Sequence, residues 1–227
     1  MEELSEAARE VITSLQALPE APELQRAKIA IIGGLALRYY APGFRSTKDV
    51  DILIFDRDHP ICTRNVQAKL ASRFPDKFEY VREPVSYCLD IPDTTKVDFI
   101  PQELPPYLPV DALTLEEVDP NHLPFLSLPH LLVYKINSCG MRPTSDKKKQ
   151  DAEDARELVD ILSRQGAITL DDSQKQAVLS ARAKISHVVR DVSNDKRPKL
   201  VNVALAYVTQ KALYVFSIVG GRKAEPL

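Results

Sequence analysis

A proline-dense segment between residues 101 and 129 is the feature that most restricts how this chain can fold. Seven of the 17 prolines lie there, at positions 101, 105, 106, 109, 120, 124 and 129. Proline lacks a backbone N–H and has a fixed φ, so this density excludes a long helix or a central strand. The segment predicts an irregular connector at 105–129, with a short strand at 113–118. It separates a first part at 1–104 from a helical part at 130–227.

The first part alternates between helix-like and strand-like patterns. An amphipathic helix comes first, because one helical stripe holds the apolar residues Leu4, Ala8, Val11, Ile12, Leu15 and Leu18. Short apolar runs separated by turn residues then indicate strands. The predicted order is a strand at 27–32, a helix at 35–40, a strand at 49–55, a helix at 65–74, and strands at 78–82, 87–91 and 96–100. This order predicts an α+β or mixed α/β core.

Beyond residue 130 the pattern is helical, with helices predicted at 131–138, 149–163 and 173–192. The most apolar stretch, 200–219, carries Asn202, Gln210 and Lys211 near its middle. A lysine in the centre of a helix opposes membrane insertion by about 2.5–3.5 kcal/mol. We therefore expect a buried C-terminal helix and no membrane partner.

The charge balance and the cysteines restrict the partners and the compartment. The formal net charge is −2. No overall basic field holds a nucleic-acid backbone, and a large nucleic-acid partner is disfavoured. The cysteines at positions 62, 88 and 139 are widely spaced and form no metal-binding pattern. The N-terminus is acidic where a signal peptide would be basic. These features favour a cytoplasmic protein with reduced thiols, and they leave its oligomeric state open.

Gly33 and Gly34 lie where the first predicted strand meets a helix. A helix that begins there presents free backbone N–H groups at the positive end of its dipole. Because glycine has no side chain, a phosphate can approach those groups closely. Gly-Gly is also common in tight turns that bind nothing, so the dipeptide alone leaves both interpretations open.

Three aspartates form the second chemical feature. Asp49 and Asp51 are two residues apart in the strand DVDILIF, so both carboxylates project from one face while Val50 and Ile52 face the core. Adjacent carboxylates repel unless a cation lies between them, and oxygen-only ligands select Mg²⁺ or Mn²⁺. Asp98, in the later strand KVDFI, could complete the site and accept a proton from an attacking hydroxyl. The alternative is that these acids simply face solvent.

Together these residues resemble the nucleotidyltransferase superfamily, which has the fold of DNA polymerase β. Its pattern is a Gly-Gly or Gly-Ser turn, an Asp-x-Asp or Asp-x-Glu strand, and a third acid on a later strand. The local form, GGLALRYY followed by RSTKDVDI, is most similar to AbiEii-like and minimal nucleotidyltransferases. The resemblance covers residues 28–100 as motifs and extends more loosely into the helical part. It implies an α+β fold with a mixed β-sheet, flanking helices and a C-terminal helical part.

The resemblance also implies a reaction. NMP would pass from an NTP to a hydroxyl-type acceptor, with Mg²⁺ or Mn²⁺ as cofactor. The acceptor is a small molecule, a protein side chain or an RNA 3′ end, and the near-neutral charge favours the first two. Asp49, Asp51 and Asp98 would be the catalytic residues and metal ligands. The implied nucleotide-binding residues are Gly33, Gly34, Arg45, Ser46, Thr47, Lys48 and Lys135.

The sequence departs from the family's pattern in two ways. The spacer at 35–48 is longer than is usual in the family, and no base-selecting motif is recognisable.

A relative that binds a nucleotide or regulates a partner would keep the metal site and the nucleotide site without transfer. A repurposed fold would instead use the acids in a reaction that needs no NTP.

Charged residues in the helical part allow more than one interpretation. Lys135 lies on an otherwise apolar helix, and the alternative to a nucleotide contact is that it extends to the surface. Asp151 and Asp154 are expected to pair with Lys147 and Arg156 along the surface of one helix. Ser145 or Asp146 is a candidate N-cap for that helix.

Overall fold

A computed structural model describes residues 2–18, 21, 24–81, 85–90, 93–166 and 168–191. The chain divides into two compact units, Met1–Leu126 and Ser127–Leu227. The predicted helix at 200–219 lies outside the described residues.

The first unit contains three helices and six strands among its described residues. In chain order they are α1 (Glu2–Gln16), β1 (Lys28–Ile32), α2 (Gly33–Tyr40), β2 (Asp49–Phe55), α3 (Thr63–Arg73), β3 (Phe78–Tyr80), β4 (Val85–Asp90), β5 (Asp93–Ile100) and β6 (Leu113–Thr114). Every strand predicted before the proline-dense segment is present, and β2 has the predicted bounds. The second helix begins two residues earlier than predicted, at Gly33.

The strands form one mixed sheet in the order β3-β4-β5-β2-β1-β6. β2 and β5 pair in parallel, whereas the other neighbouring strands pair antiparallel. With its helices this sheet confirms the predicted α+β class. The central position of β2 explains its sequence, because a strand with neighbours on both sides is buried and apolar along most of its length.

The main core lies on the face of the sheet opposite the aspartates. Val50, Ile52 and Ile54 of β2 are fully buried there, in one cluster with the apolar stripe of α1. Leu70 of α3 belongs to the same cluster. Burial of each large apolar side chain contributes about 1.5–3 kcal/mol. The alternation along β2 therefore fixes which face holds the core and leaves Asp49 and Asp51 on the other.

Much of the proline-dense segment belongs to the first unit. β6 pairs with β1, Leu115 N–H donates to the Ala27 carbonyl, and Leu126 N–H donates to the Ile31 carbonyl. These bonds occupy the edge of β1. The structural boundary after Leu126 therefore differs from the predicted connector at 105–129, because the proline segment supplies hydrogen bonds to the sheet.

The second unit contains α4 (Leu128–Met141), α5 (Ser145–Gln165) and α6 (Asp172–Asp191) among its described residues. Thr144 is the N-cap residue of α5, so neither predicted cap residue holds that position. Across the described ranges, no helix is both long and apolar enough to cross a membrane.

Cys139 and Cys62 provide a test of this packing. Cys139 is buried, its thiol donates to the Lys148 carbonyl, and burial raises its pKa to about 11. On the order of one Cys139 thiol in a thousand is therefore ionised at pH 8. Cys62 is exposed. We expect iodoacetamide at pH 8 to label Cys62 at least about tenfold faster than Cys139, because thiolates are the reactive form. Peptide-level mass spectrometry measures both rates, and equal rates in the folded protein would contradict this packing.

Candidate functional site

Two neighbouring parallel strands bring the three predicted acids to one face of the sheet. Asp51 of β2 lies opposite Asp98 of β5, and Asp49 lies opposite Lys96. Residues paired in register share a face, and so do residues two apart along a strand. All three aspartates are partly buried. The predicted acids are thus brought together by strand pairing.

The end of β1 places the glycine turn beside these acids. Ile32 pairs with Asp51, and α2 begins at the next residue, Gly33. Gly33 has a φ of 69°, in the left-handed region that favours glycine. A Cβ at this position would overlap the carboxylate of Asp51. Both the backbone conformation and the closeness of Asp51 therefore require glycine here.

Replacement of Gly33 by alanine is expected to lower the free energy of unfolding by about 1–3 kcal/mol and to displace Asp51. Gly43→Ala is the matched control, since Gly43 has a φ of 84° but nothing lies within 4 Å of an added Cβ. Urea unfolding of both variants separates the backbone cost from the overlap. Equal losses of stability would show that the contact with Asp51 does not constrain Gly33.

Gly34 contacts the loop that precedes β2. A Cβ at Gly34 would overlap the Thr47 side chain. Of the other predicted nucleotide-binding residues in this loop, Arg45 donates to the Ser46 carbonyl at 3.0 Å, and Ser46 and Lys48 are exposed. The structure brings Thr47 to the glycine turn. Because both glycines already contact side chains of the chain itself, their binding of phosphate stays a prediction.

Lys96 is a charged residue beside the three aspartates that the sequence analysis missed. Its ammonium lies 2.7 Å from the Asp98 carboxylate. The hydrogen bond to Asp98 raises the pKa of Lys96, and the charges of Asp98, Asp49 and Asp51 raise it further. The signal was present in the sequence, because Lys96 is two residues from Asp98 and so shares its face of the strand.

The predicted metal ligands fit a hard divalent cation by their chemistry. Asp49, Asp51 and Asp98 offer only carboxylate oxygens, the donors that Mg²⁺ and Mn²⁺ prefer. Within the part of the chain that the structure describes, however, no three Asp, Glu, His or Cys side chains form a group that could hold a metal ion. Asp98 is paired with Lys96 instead. Lys96 therefore competes with a metal ion for the Asp98 carboxylate.

A cavity of about 720 Å³ adjoins Asp98. It lies where α3 begins and β5 ends, within the first unit. Its walls combine apolar and polar groups, among them Ile61, Arg64, Gln67, Asp98, Ile100 and Leu104. The volume is in the range of small-molecule sites, about 300–1,000 Å³. Sequence reasoning did not find this cavity, because it depends on how α3 packs beside β5.

Lys135, the remaining predicted nucleotide-binding residue, lies in the second unit. Its side chain is buried. The interpretation that Lys135 extends to the surface is therefore wrong. The ammonium lies 3.1 Å from Asp151 and 2.7 Å from Asp154, both of which are buried. Arg142 also pairs with Asp151, at 2.8 Å. The predicted surface location of Asp151 and Asp154 is wrong as well, because both face α4. A nucleotide contact for Lys135 stays a prediction.

A solved structure has a fold similar to that of this chain. The chain is similar, across 90% of its length, to an antigenic nucleotidyltransferase-like protein from Paracoccidioides brasiliensis that is known from a crystal structure. The match covers 93% of that chain, with a TM-score of 0.56 and 22% sequence identity. The chain has a nucleotidyltransferase-like fold. At this identity the similarity establishes the fold alone, and the AbiEii-like relationship stays a prediction.

Comparisons of sequence add little to this result. No family model matches the chain. A stretch of 41 residues is 54% identical to part of norsolorinic acid reductase B from Dothistroma septosporum (strain NZE10 / CBS 128990). That stretch is 18% of this chain and 10% of the reductase. A match to one tenth of the reductase supports no shared activity.

Proposed function

We propose that the chain is a Mg²⁺-dependent nucleotidyltransferase that moves NMP from an NTP to a hydroxyl-type acceptor. The observation that carries this proposal is the pairing of Asp51 with Asp98 on adjacent parallel strands. Asp49 shares their face, and the glycine turn lies against Asp51. The nucleotidyltransferase-like fold supports the same reaction class.

The proposed mechanism assigns a role to each group. Bound by Asp49, Asp51 and Asp98, a divalent ion would supply positive charge to the phosphates and the attacking oxygen. Asp98 accepts the proton of the acceptor hydroxyl. The acceptor oxygen bonds to the α-phosphorus, the bond to the bridging oxygen breaks, and pyrophosphate leaves with that electron pair.

Residues at the glycine turn would hold the triphosphate. The N–H groups at the start of α2 lie at the positive end of its dipole and favour negative charge. Arg45 and Lys48 supply positive charge in the loop before β2, and Ser46 and Thr47 supply hydroxyl donors. Thr47 already lies against Gly34. These donors orient the leaving pyrophosphate.

The cavity beside Asp98 favours a small molecule as the acceptor. Asp98 is among the residues that line the cavity, so an acceptor bound there would lie next to the residue that is proposed to take its proton. The walls offer the charges of Arg64 and Glu103 together with apolar surface from Ile100 and Leu104. A molecule with both polar and apolar parts fits this lining. The net charge of −2 gives no support to a polynucleotide acceptor.

The ion pair between Lys96 and Asp98 favours a second candidate function, nucleotide binding without transfer. A carboxylate held by a lysine is less available as a metal ligand and as a base. In such a protein Mg²⁺ and NTP would still bind through Asp49 and Asp51. The two functions differ in turnover.

Transfer of an α-phosphate label tests the proposed function. Each NTP, labelled at the α-phosphate, is incubated with the protein, Mg²⁺ and a pool of small-molecule metabolites, the class of ligand that the cavity suits. We expect labelled product with one NTP and none when the label is on the γ-phosphate. Asp98→Asn is expected to abolish the product. Transfer of the γ-label, or no product from any NTP, would contradict NMP transfer.

A further inference from the structure

We propose that the Lys96 ammonium serves as the cation of the aspartate cluster, which consists of Asp49, Asp51 and Asp98. In this role Lys96 excludes free divalent ions from the cluster until a nucleotide binds. This inference rests on the proposed function for the identity of the metal ligands. It adds a regulatory residue from the chain itself, and it predicts an order of binding in which metal and nucleotide enter together.

The geometry gives Lys96 this position. It lies opposite Asp49 in the register of β2 and β5, and two residues before Asp98 on the same strand. Its ammonium is bonded to Asp98 at 2.7 Å. The side chain therefore shares one face with all three carboxylates. A cation placed here neutralises part of the repulsion among the acids, which is the task that a metal ion would otherwise perform.

The same geometry allows Lys96 to leave. Its side chain is 46% exposed, and a lysine side chain has four flexible carbons. A triphosphate bound at the neighbouring glycine turn would offer new anionic partners for the ammonium. Lys96 would then exchange the Asp98 carboxylate for a phosphate oxygen and leave Asp98 for the metal. Without nucleotide, a free ion must displace the lysine with no such compensation.

Mn²⁺ binding without nucleotide tests this inference, with electron paramagnetic resonance of free Mn²⁺ as the readout. We expect Lys96→Met to bind Mn²⁺ at least about tenfold more tightly than the wild type. Lys96→Arg keeps the charge and is expected to bind as weakly as the wild type. Lys77→Met is the matched control, because Lys77 also pairs with a carboxylate, Glu10, and its side chain is 48% exposed. Its Mn²⁺ affinity should not change.

The outcomes separate this inference from the proposed function. Lys96→Met binding Mn²⁺ no more tightly than the wild type would overturn the role of Lys96, whatever the activity of the protein. A tight Lys96→Met site in a chain that binds no NTP with Mn²⁺ would keep the exclusion of metal by Lys96, but it would reject both the release of Lys96 by a nucleotide and NMP transfer. Circular dichroism of each variant verifies that the fold is intact, and Lys96→Gln provides a second neutral variant.

Discussion

Lys135→Met is expected to lower the free energy of unfolding by about 3–5 kcal/mol. Lys135 is the buried cation between two buried carboxylates, at 3.1 Å from Asp151 and 2.7 Å from Asp154. Removal of the lysine leaves two buried carboxylates with less compensating charge, which costs more than the ion pairs contribute. Asp154, whose side chain is fully buried, loses its contact with the Lys135 ammonium, and Asp151 loses one of its two cations while Arg142 stays. Urea unfolding followed by circular dichroism measures this loss.

A surface ion pair in the same helical unit provides the control. Lys149 pairs with Glu153 at 3.8 Å, and both side chains are 55% exposed. Lys149→Met should therefore cost less than about 1 kcal/mol. The double variant Lys135→Met/Asp154→Leu should recover much of the lost stability, because one of the two buried carboxylates that pair with Lys135 is then removed as well. Equal losses for Lys135→Met and Lys149→Met would show that the buried network is not formed.

Asp51→Asn is expected to reduce the rate of NMP transfer at least about 100-fold. Asp51 connects the two parts of the site, since it is paired with Asp98 in the sheet and lies against Gly33. Asparagine preserves its size but removes the negative charge that a divalent ion requires. The α-label transfer assay measures the effect under saturating NTP.

Asp76→Asn is the control for this substitution. Asp76 is exposed in the turn before β3, an edge strand that β4 separates from β5, and its replacement should leave transfer unchanged. Both variants should unfold at urea concentrations close to that of the wild type. An Asp51→Asn rate within threefold of the wild type would remove Asp51 from the catalytic residues.

The fold could be predicted because its decisive signals are local. The β2 run DVDILIF alternates over its first residues and is apolar thereafter, so one pattern gives the strand, its bounds and its exposed face. The apolar stripe of α1 likewise predicts the first helix and the face that it buries. The proline-dense segment correctly marked irregular structure. Its hydrogen bonds to β1 have no local signal, so its assignment to the first unit could not be predicted.

The site could be predicted in part for the same reason. The period of a strand places Asp49 with Asp51, but it does not determine which later strand lies beside β2. The parallel register that brings Asp98 opposite Asp51 is a long-range property of the sheet. Lys96 could have been found from its spacing to Asp98. The buried ion pairs of Lys135 could not be predicted, because its partners Asp151 and Asp154 lie on another helix.

Thermal unfolding with each NTP, with and without Mg²⁺, tests the central claim most directly, because it requires no knowledge of the acceptor. A ligand bound only to the native state at a hundredfold excess over Kd adds about 2.7 kcal/mol of stability. For a chain of this size we expect Tm to rise by roughly 5–10 °C with one NTP and Mg²⁺. The shift should be absent without Mg²⁺ and in Asp49→Asn/Asp51→Asn. An unchanged Tm with all four NTPs, or an equal shift in the double variant, would contradict the proposed metal–nucleotide site.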